Sequence, residues 1–267
     1  MKYLIDSSRK PLDIGLTLNS YLPGNVLRTI VYDSKTNDVL LDRTDVLKGT
    51  QDVILKLPVT SDKIIVETFS REHGRLPLGK DKTFSTGNLQ IMPLKKYNVS
   101  LGSGDVEFLK FAEQFCKELP SLKPDGKLRR SPSGRFKFVL FDKLRSHKGE
   151  LINSPCMVGK KTGTIEISKD YFMRMSLAQR MAVLCHEYGH FYKNPLNGYD
   201  IGNEYGADLN GMTVFIGSGY GLSEYINAFK KVFNGAKTNL NRNRYSVMKG
   251  FAKKIFNGEY FGKPYNL

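Results

Sequence analysis

Apolar and polar positions change their period near residue 97 of this 267-residue chain. Before it they form short alternating runs. Leu12-Asp13-Ile14-Gly15-Leu16-Thr17-Leu18 has period two, and parts of residues 26–32, 53–57 and 63–69 follow it. Turn-forming stretches separate the runs: Leu22-Pro23-Gly24-Asn25, residues 33–38, Lys48-Gly49-Thr50 and residues 58–62. Strands at this spacing predict an all-β sandwich for residues 1–97, with no catalytic constellation in it. His73 of this half reads as a solvated loop residue, because no second ligand is near it in sequence.

Beyond the Pro- and Gly-containing stretch 93–104 the period becomes helical. Phe108, Phe111, Phe115 and Leu119 share one face, Asp105 and Glu107 load the first turn, and Pro120 stops the helix. A basic loop follows over residues 123–134, then strands at 136–141, 156–159 and 163–168, with His147 exposed between them. Ser176 is a good N-cap for a helix whose core stripe is Leu177, Met181, Leu184, Tyr188 and Phe191. Asn194-Pro195 ends it, and the short loop brings the next helix back close to the first. Two further amphipathic helices, 222–233 and 245–256, carry lysine-rich outer faces, with Tyr225, Phe229, Phe233, Phe251 and Phe256 as core. The fold class predicted is α+β: an immunoglobulin-like sandwich (1–97) that docks on another protein, then a mixed sheet with helices (98–267).

One stretch carries chemistry. His186-Glu187-Tyr188-Gly189-His190 places two histidines four apart on a helix, where their side chains are offset by about 40° and roughly 6 Å along the axis. Both rings then reach one ion, neutral imidazole suits zinc, and Glu187 can hold a water at the metal's open position. Glu204 opens the next helix as a third ligand, with Asp200 or Asp208 as the substitutes; Ala207 and Gly211 let the two helices approach. The bland competitor is an amphipathic helix whose histidines only satisfy hydrogen bonds. Gly163-Thr164-Ile165-Glu166-Ile167, just upstream, reads as an edge strand able to pair with an extended peptide. Cys116, Cys156 and Cys185 form no metal-type pair and read as reduced, buried thiols.

The C-terminal part resembles the zincin-fold metallopeptidases of the gluzincin type. The resemblance rests on His186-Glu187-Tyr188-Gly189-His190, the Glu204-Tyr205-Gly206-Ala207-Asp208 element and the strand upstream of them. It implies zinc held by His186, His190 and Glu204, and a peptide or protein substrate hydrolysed with Glu187 as general base toward zinc-bound water. Asp208 would then accept a hydrogen bond from a ligating histidine. The family adds a residue for the oxyanion; Tyr245, Arg244 and Tyr220 are candidates without a motif.

Composition changes this picture only at its margins. Hydrophobic content of 40% with 25% charged residues is ordinary for a globular protein. No apolar run is long enough to span a bilayer and Met1-Lys2-Tyr3-Leu4-Ile5-Asp6 is no signal peptide, so a cytoplasmic or virion location is expected. The net charge of +15 is uneven, and residues 230–267 carry nine basic side chains against Glu259, which points to an anionic neighbour, nucleic acid or an acidic surface. The competing class is a structural component of a large oligomeric assembly, such as a phage virion or tail, carrying an active or vestigial zincin-like domain. The chain has a general similarity to tailed-phage proteins.

Overall fold

Alternation in the first hundred residues becomes seven strands: β1 (Lys2–Asp6), β2 (Leu12–Ser20), β3 (Val26–Asp33), β4 (Val39–Val46), β5 (Thr50–Leu57), β6 (Lys63–Ser70) and β7 (Phe84–Pro93). The computed structural model describes residues 1–76, 81–159, 161–193, 201–233 and 238–256, without the side chains of 201–203, 233 and 256. Two antiparallel sheets result, in the orders β1-β6-β3-β4 and β5-β2-β7. Ile14, Leu16 and Leu18 on β2 and Ile64, Val66 and Thr68 on β6 are at most 1% exposed. Each large apolar side chain so buried contributes about 1.5–3 kcal/mol.

The chain forms two compact units. The first is Met1–Tyr97 together with Ser176–Ala178 and Gly219–Asn227. A single boundary at residue 97 does not describe those two later segments, and the second has visible ties to the β unit. Arg43 on β4 pairs with Asp45 at 2.8 Å and Glu224 at 3.3 Å, and also donates to Ser223 Oγ at 3.0 Å. Glu224 is buried, and Arg43 is the opposite charge that offsets its desolvation.

The second unit is Asn98–Met175, Gln179–Ser218 and the chain from Ala228 on. It contains α1 (Ser103–Glu118), β8 (Leu128–Arg130), β9 (Lys137–Phe141), β10 (Cys156–Val158), β11 (Thr164–Ser168) and α2 (Lys169–Met173). Then come α3 (Leu177–Tyr188), continued by a π-helical turn Gly189–Lys193, and α4 (Ile201–Gly217). α5 (Leu222–Ala228) belongs to the first unit up to Asn227, and the second π turn Phe229–Phe233 and α6 (Asn239–Phe256) return to the second. The chain is therefore α+β. No described helix is long and apolar enough to cross a membrane. The helix end at Asn194-Pro195 and the Phe233 and Phe256 side chains lie outside the described residues.

The sheet order β10-β11-β9-β8 corrects one expectation. Residues 163–167 are not an edge: β11 lies between β9, parallel to it, and β10, antiparallel to it (Val158↔Ile165, Met157↔Glu166). A tight turn causes this. Gly163, at φ +66°, donates to Gly159 O at 2.7 Å and folds 156–158 back against 164–167, making β10 the edge. The basic loop after α1 likewise contains β8, and Arg129 there pairs with Asp125 at 3.1 Å.

The predicted face of α1 packs on this sheet. Phe138 of β9 meets the rings of Phe108 (6.1 Å), Phe111 (4.4 Å) and Phe115 (5.1 Å) and is itself fully buried. Phe138→Ala should lower the unfolding free energy by about 3–5 kcal/mol in a denaturant titration. A loss below about 1 kcal/mol would show that this cluster is not the core of the unit.

Candidate metal centre

The helix that carries the histidines is buried on every side. Residues 175–189 are all buried, including Gln179, Arg180 and both His186 and Glu187, so α3 is a central rod and not a one-sided amphipathic helix. Arg180 is tolerated there because its guanidinium donates to Phe172 O at 2.7 Å and Cys116 O at 3.2 Å. All three cysteines are free and buried.

The π turn that follows α3 carries His190, and Gly189 opens it against α4. A Cβ on Gly189 would sit 2.5 Å from Ala207 O and 3.0 Å from its Cα, so only glycine permits this approach. The contact brings Glu204, one turn earlier on α4, to the two imidazoles. His186 Nε2 and His190 Nε2 lie 3.1 Å apart. Glu204 Oε1 is 3.4 Å from His190 Nε2, and Oε2 is 3.7 Å from His186 Nε2. Each imidazole thus faces one oxygen of the Glu204 carboxylate, and two imidazoles with a carboxylate are a donor set that suits zinc. These three residues are also the one group of metal-ligating side chains found close together among the described residues.

Behind the histidines is a charged support. His186 Nδ1 lies 2.9 Å from Asp208 Oδ1, which accepts its proton and aims Nε2 at the centre. Arg244 of α6 holds Asp208 through two parallel hydrogen bonds of 2.8 Å and reaches Glu204 Oε2 with Nη1 at 3.0 Å. The Asp208 and Arg244 side chains are 1% and 8% exposed, whereas that of Glu204 is 36% exposed, so the centre opens to solvent on the Glu204 side. Arg244 thus orients two acidic side chains.

The same arrangement sets the protonation states. Burial disfavours the Asp208 charge, but hydrogen bonds from Arg244 and His186 prevail and hold it below the usual carboxylate range. Burial would lower His186, yet the hydrogen bond and charge of Asp208 raise it above the ordinary histidine value. Burial, then the neighbouring His186, hold His190 well below that value. His186 therefore holds a proton more firmly than His190 does. Burial pushes Glu187 up to about 7, with Glu204 adding to the rise, while His186 and a hydrogen bond from Val158 N–H oppose it. The edge strand β10 consequently passes directly beside the Glu187 carboxylate.

Of the other sequence candidates, Tyr245 lies on α6 with its ring stacked on Phe229 at 6.1 Å, between Lys230 and Lys249. Tyr220 belongs to the first unit. Asp200, the substitute ligand, lies outside the described residues. His73 and His147 are exposed. Val158 was not foreseen and had no signal in the sequence. Arg244 had one: it occupies the first position of the buried row Arg244, Met248, Ala252, Ile255, where a charge needs a buried partner.

Comparison with protein-family models, with curated proteins and with solved structures returns no match.

Proposed function

We propose that the chain is a zinc-dependent metallopeptidase, its second unit a zincin-like fold of the gluzincin type and its first an immunoglobulin-like adaptor. The observation that carries this reading is the convergence of His186 Nε2, His190 Nε2 and the Glu204 carboxylate, with Glu187 buried beside them. Bound there, zinc would polarise a peptide carbonyl and an attacking water. The chain's own groups do the rest. Asp208 and Arg244 fix the donor atoms, so little reorganisation accompanies each turnover. Glu187 takes the water's proton on its carboxylate and returns it to the leaving amide nitrogen. Its elevated proton affinity suits both halves of that exchange. An extended substrate pairs with the edge strand β10.

The test is metal content of the purified chain by elemental analysis, beside Glu204→Ala. One zinc per chain is expected, lost from the variant on dialysis. Because His186 must release a proton to ligate, zinc affinity should fall as pH drops through its raised value. Folded protein that never takes up zinc, or a Glu204→Ala variant that retains it, would overturn the assignment.

A further inference from the structure

The π turn Gly189–Lys193 holds a ligand, His190, in a backbone geometry that is rare and that neighbours must maintain. The side chains that bracket it, Tyr188 and Lys193, both end on one carboxylate from another element. Tyr188 Oη donates to Asp105 Oδ1 at 2.5 Å, and Lys193 Nζ donates to Asp105 Oδ2 at 2.8 Å. Asp105 is 2% exposed at the start of α1, where Gly102 N–H also donates to Oδ2 at 2.9 Å. The rings around it restrain the same turn. Tyr188 stacks on Phe108 at 4.3 Å, and Tyr192, in edge contact with Phe136, donates to Gly163 O at 2.7 Å.

We propose that Asp105 is a positioning residue for the metal centre, a fixed post that clamps both ends of the π turn and so sets where His190 Nε2 lies. It touches neither ligand nor substrate and acts through Tyr188 and Lys193. The proposal rests on the metallopeptidase reading and adds to it a residue about 80 positions upstream of the motif. Groups hydrogen-bonded directly to a metal ligand change affinity by about 10–100-fold, and a clamp one step further out is set at the lower end of that range.

Charge gives the test its discrimination. Lys193→Met removes a positive charge near a cation site and by electrostatics alone would tighten zinc; Asp105→Asn removes a negative one and would loosen it. A clamp predicts loss in both. Zinc affinity is measured on the full chain by competition with a chelator, for wild type, Asp105→Asn, Lys193→Met and Lys193→Arg. Amide hydrogen exchange is followed on the metal-free proteins. Expected are zinc affinities at least tenfold weaker for the first two variants, near-wild-type affinity for Lys193→Arg, and faster exchange confined to residues 188–193. Lys193→Met leaves Asp105 and its Gly102 bond in place, so it decides the matter should Asp105→Asn fail to fold. Lys193→Met that binds zinc within twofold of wild type, or more tightly, overturns the clamp alone. A folded wild type that binds no zinc overturns the metallopeptidase reading itself, and the clamp with it.

Discussion

Glu187→Gln is expected to take up zinc as the parent chain does and to lose on the order of 10²–10⁴-fold in peptide-bond hydrolysis. The substitution is close to isosteric, and the site tells why it should be clean. Glu187 is 7% exposed, and its carboxylate accepts the Val158 N–H. The glutamine carbonyl can accept that same bond, so helix and strand stay in place. What disappears is the capacity to bind and release a proton, which burial has tuned to about 7 in the metal-free chain. Cleavage of a mixed peptide pool, followed by mass spectrometry, reads turnover whatever side chains flank the scissile bond. Turnover within tenfold of the parent would remove Glu187 from the chemistry and leave the metal centre without its base.

Legibility of this chain in its sequence divides along a physical line. His186 and His190 could be placed together because helical spacing is local, and Asp208 follows from Glu204 by the same rule. The cavity those side chains form, however, depends on Gly189 meeting Ala207, which the pattern of small residues only suggests. Strand order is less accessible still. Residues 163–167 alternate as an edge strand would, but whether an edge stays open depends on where the chain goes next, and here the Gly159–Gly163 turn covers it with β10. β4 hid itself in another way. Arg43 and Asp45 interrupt its apolar pattern as solvent-facing charges would, yet Arg43 is engaged by Asp45 and Glu224, residues no spacing rule connects. Asp105 was legible only as an acid favourable to a helix start. That role is real, since Gly102 N–H bonds it, and it concealed the contacts to Tyr188 and Lys193. Long-range pairing between charged groups is what one sequence least reveals.

Gly189→Ala should cost more than its single methyl group suggests. In an open helix, glycine to alanine stabilises by about 0.4–1 kcal/mol, through the entropy of the unfolded chain. At Gly189 the added Cβ would meet Ala207 O at 2.5 Å, Cα at 3.0 Å and the carbonyl carbon at 3.2 Å. All three are backbone atoms, so no rotamer change relieves the overlap and α4 itself must shift. Overpacking of this kind costs about 1–3 kcal/mol, enough to reverse the sign of the helix term. The functional effect is larger, because the ligands are divided between the elements in contact. His186 and His190 lie on one side and Glu204 on the other, and the separations across that contact are already 3.4 and 3.7 Å. A further displacement of several tenths of an ångström opens them beyond what one zinc spans. Zinc affinity should fall by about 100-fold or more, read by chelator competition, with a lowered unfolding midpoint. Gly250→Ala on α6 is the matched control: a Cβ there meets no atom within 4 Å, so it should keep zinc and gain a little stability. If Gly189→Ala binds zinc like the parent and unfolds no more readily, the α3–α4 contact does not set the geometry of the centre.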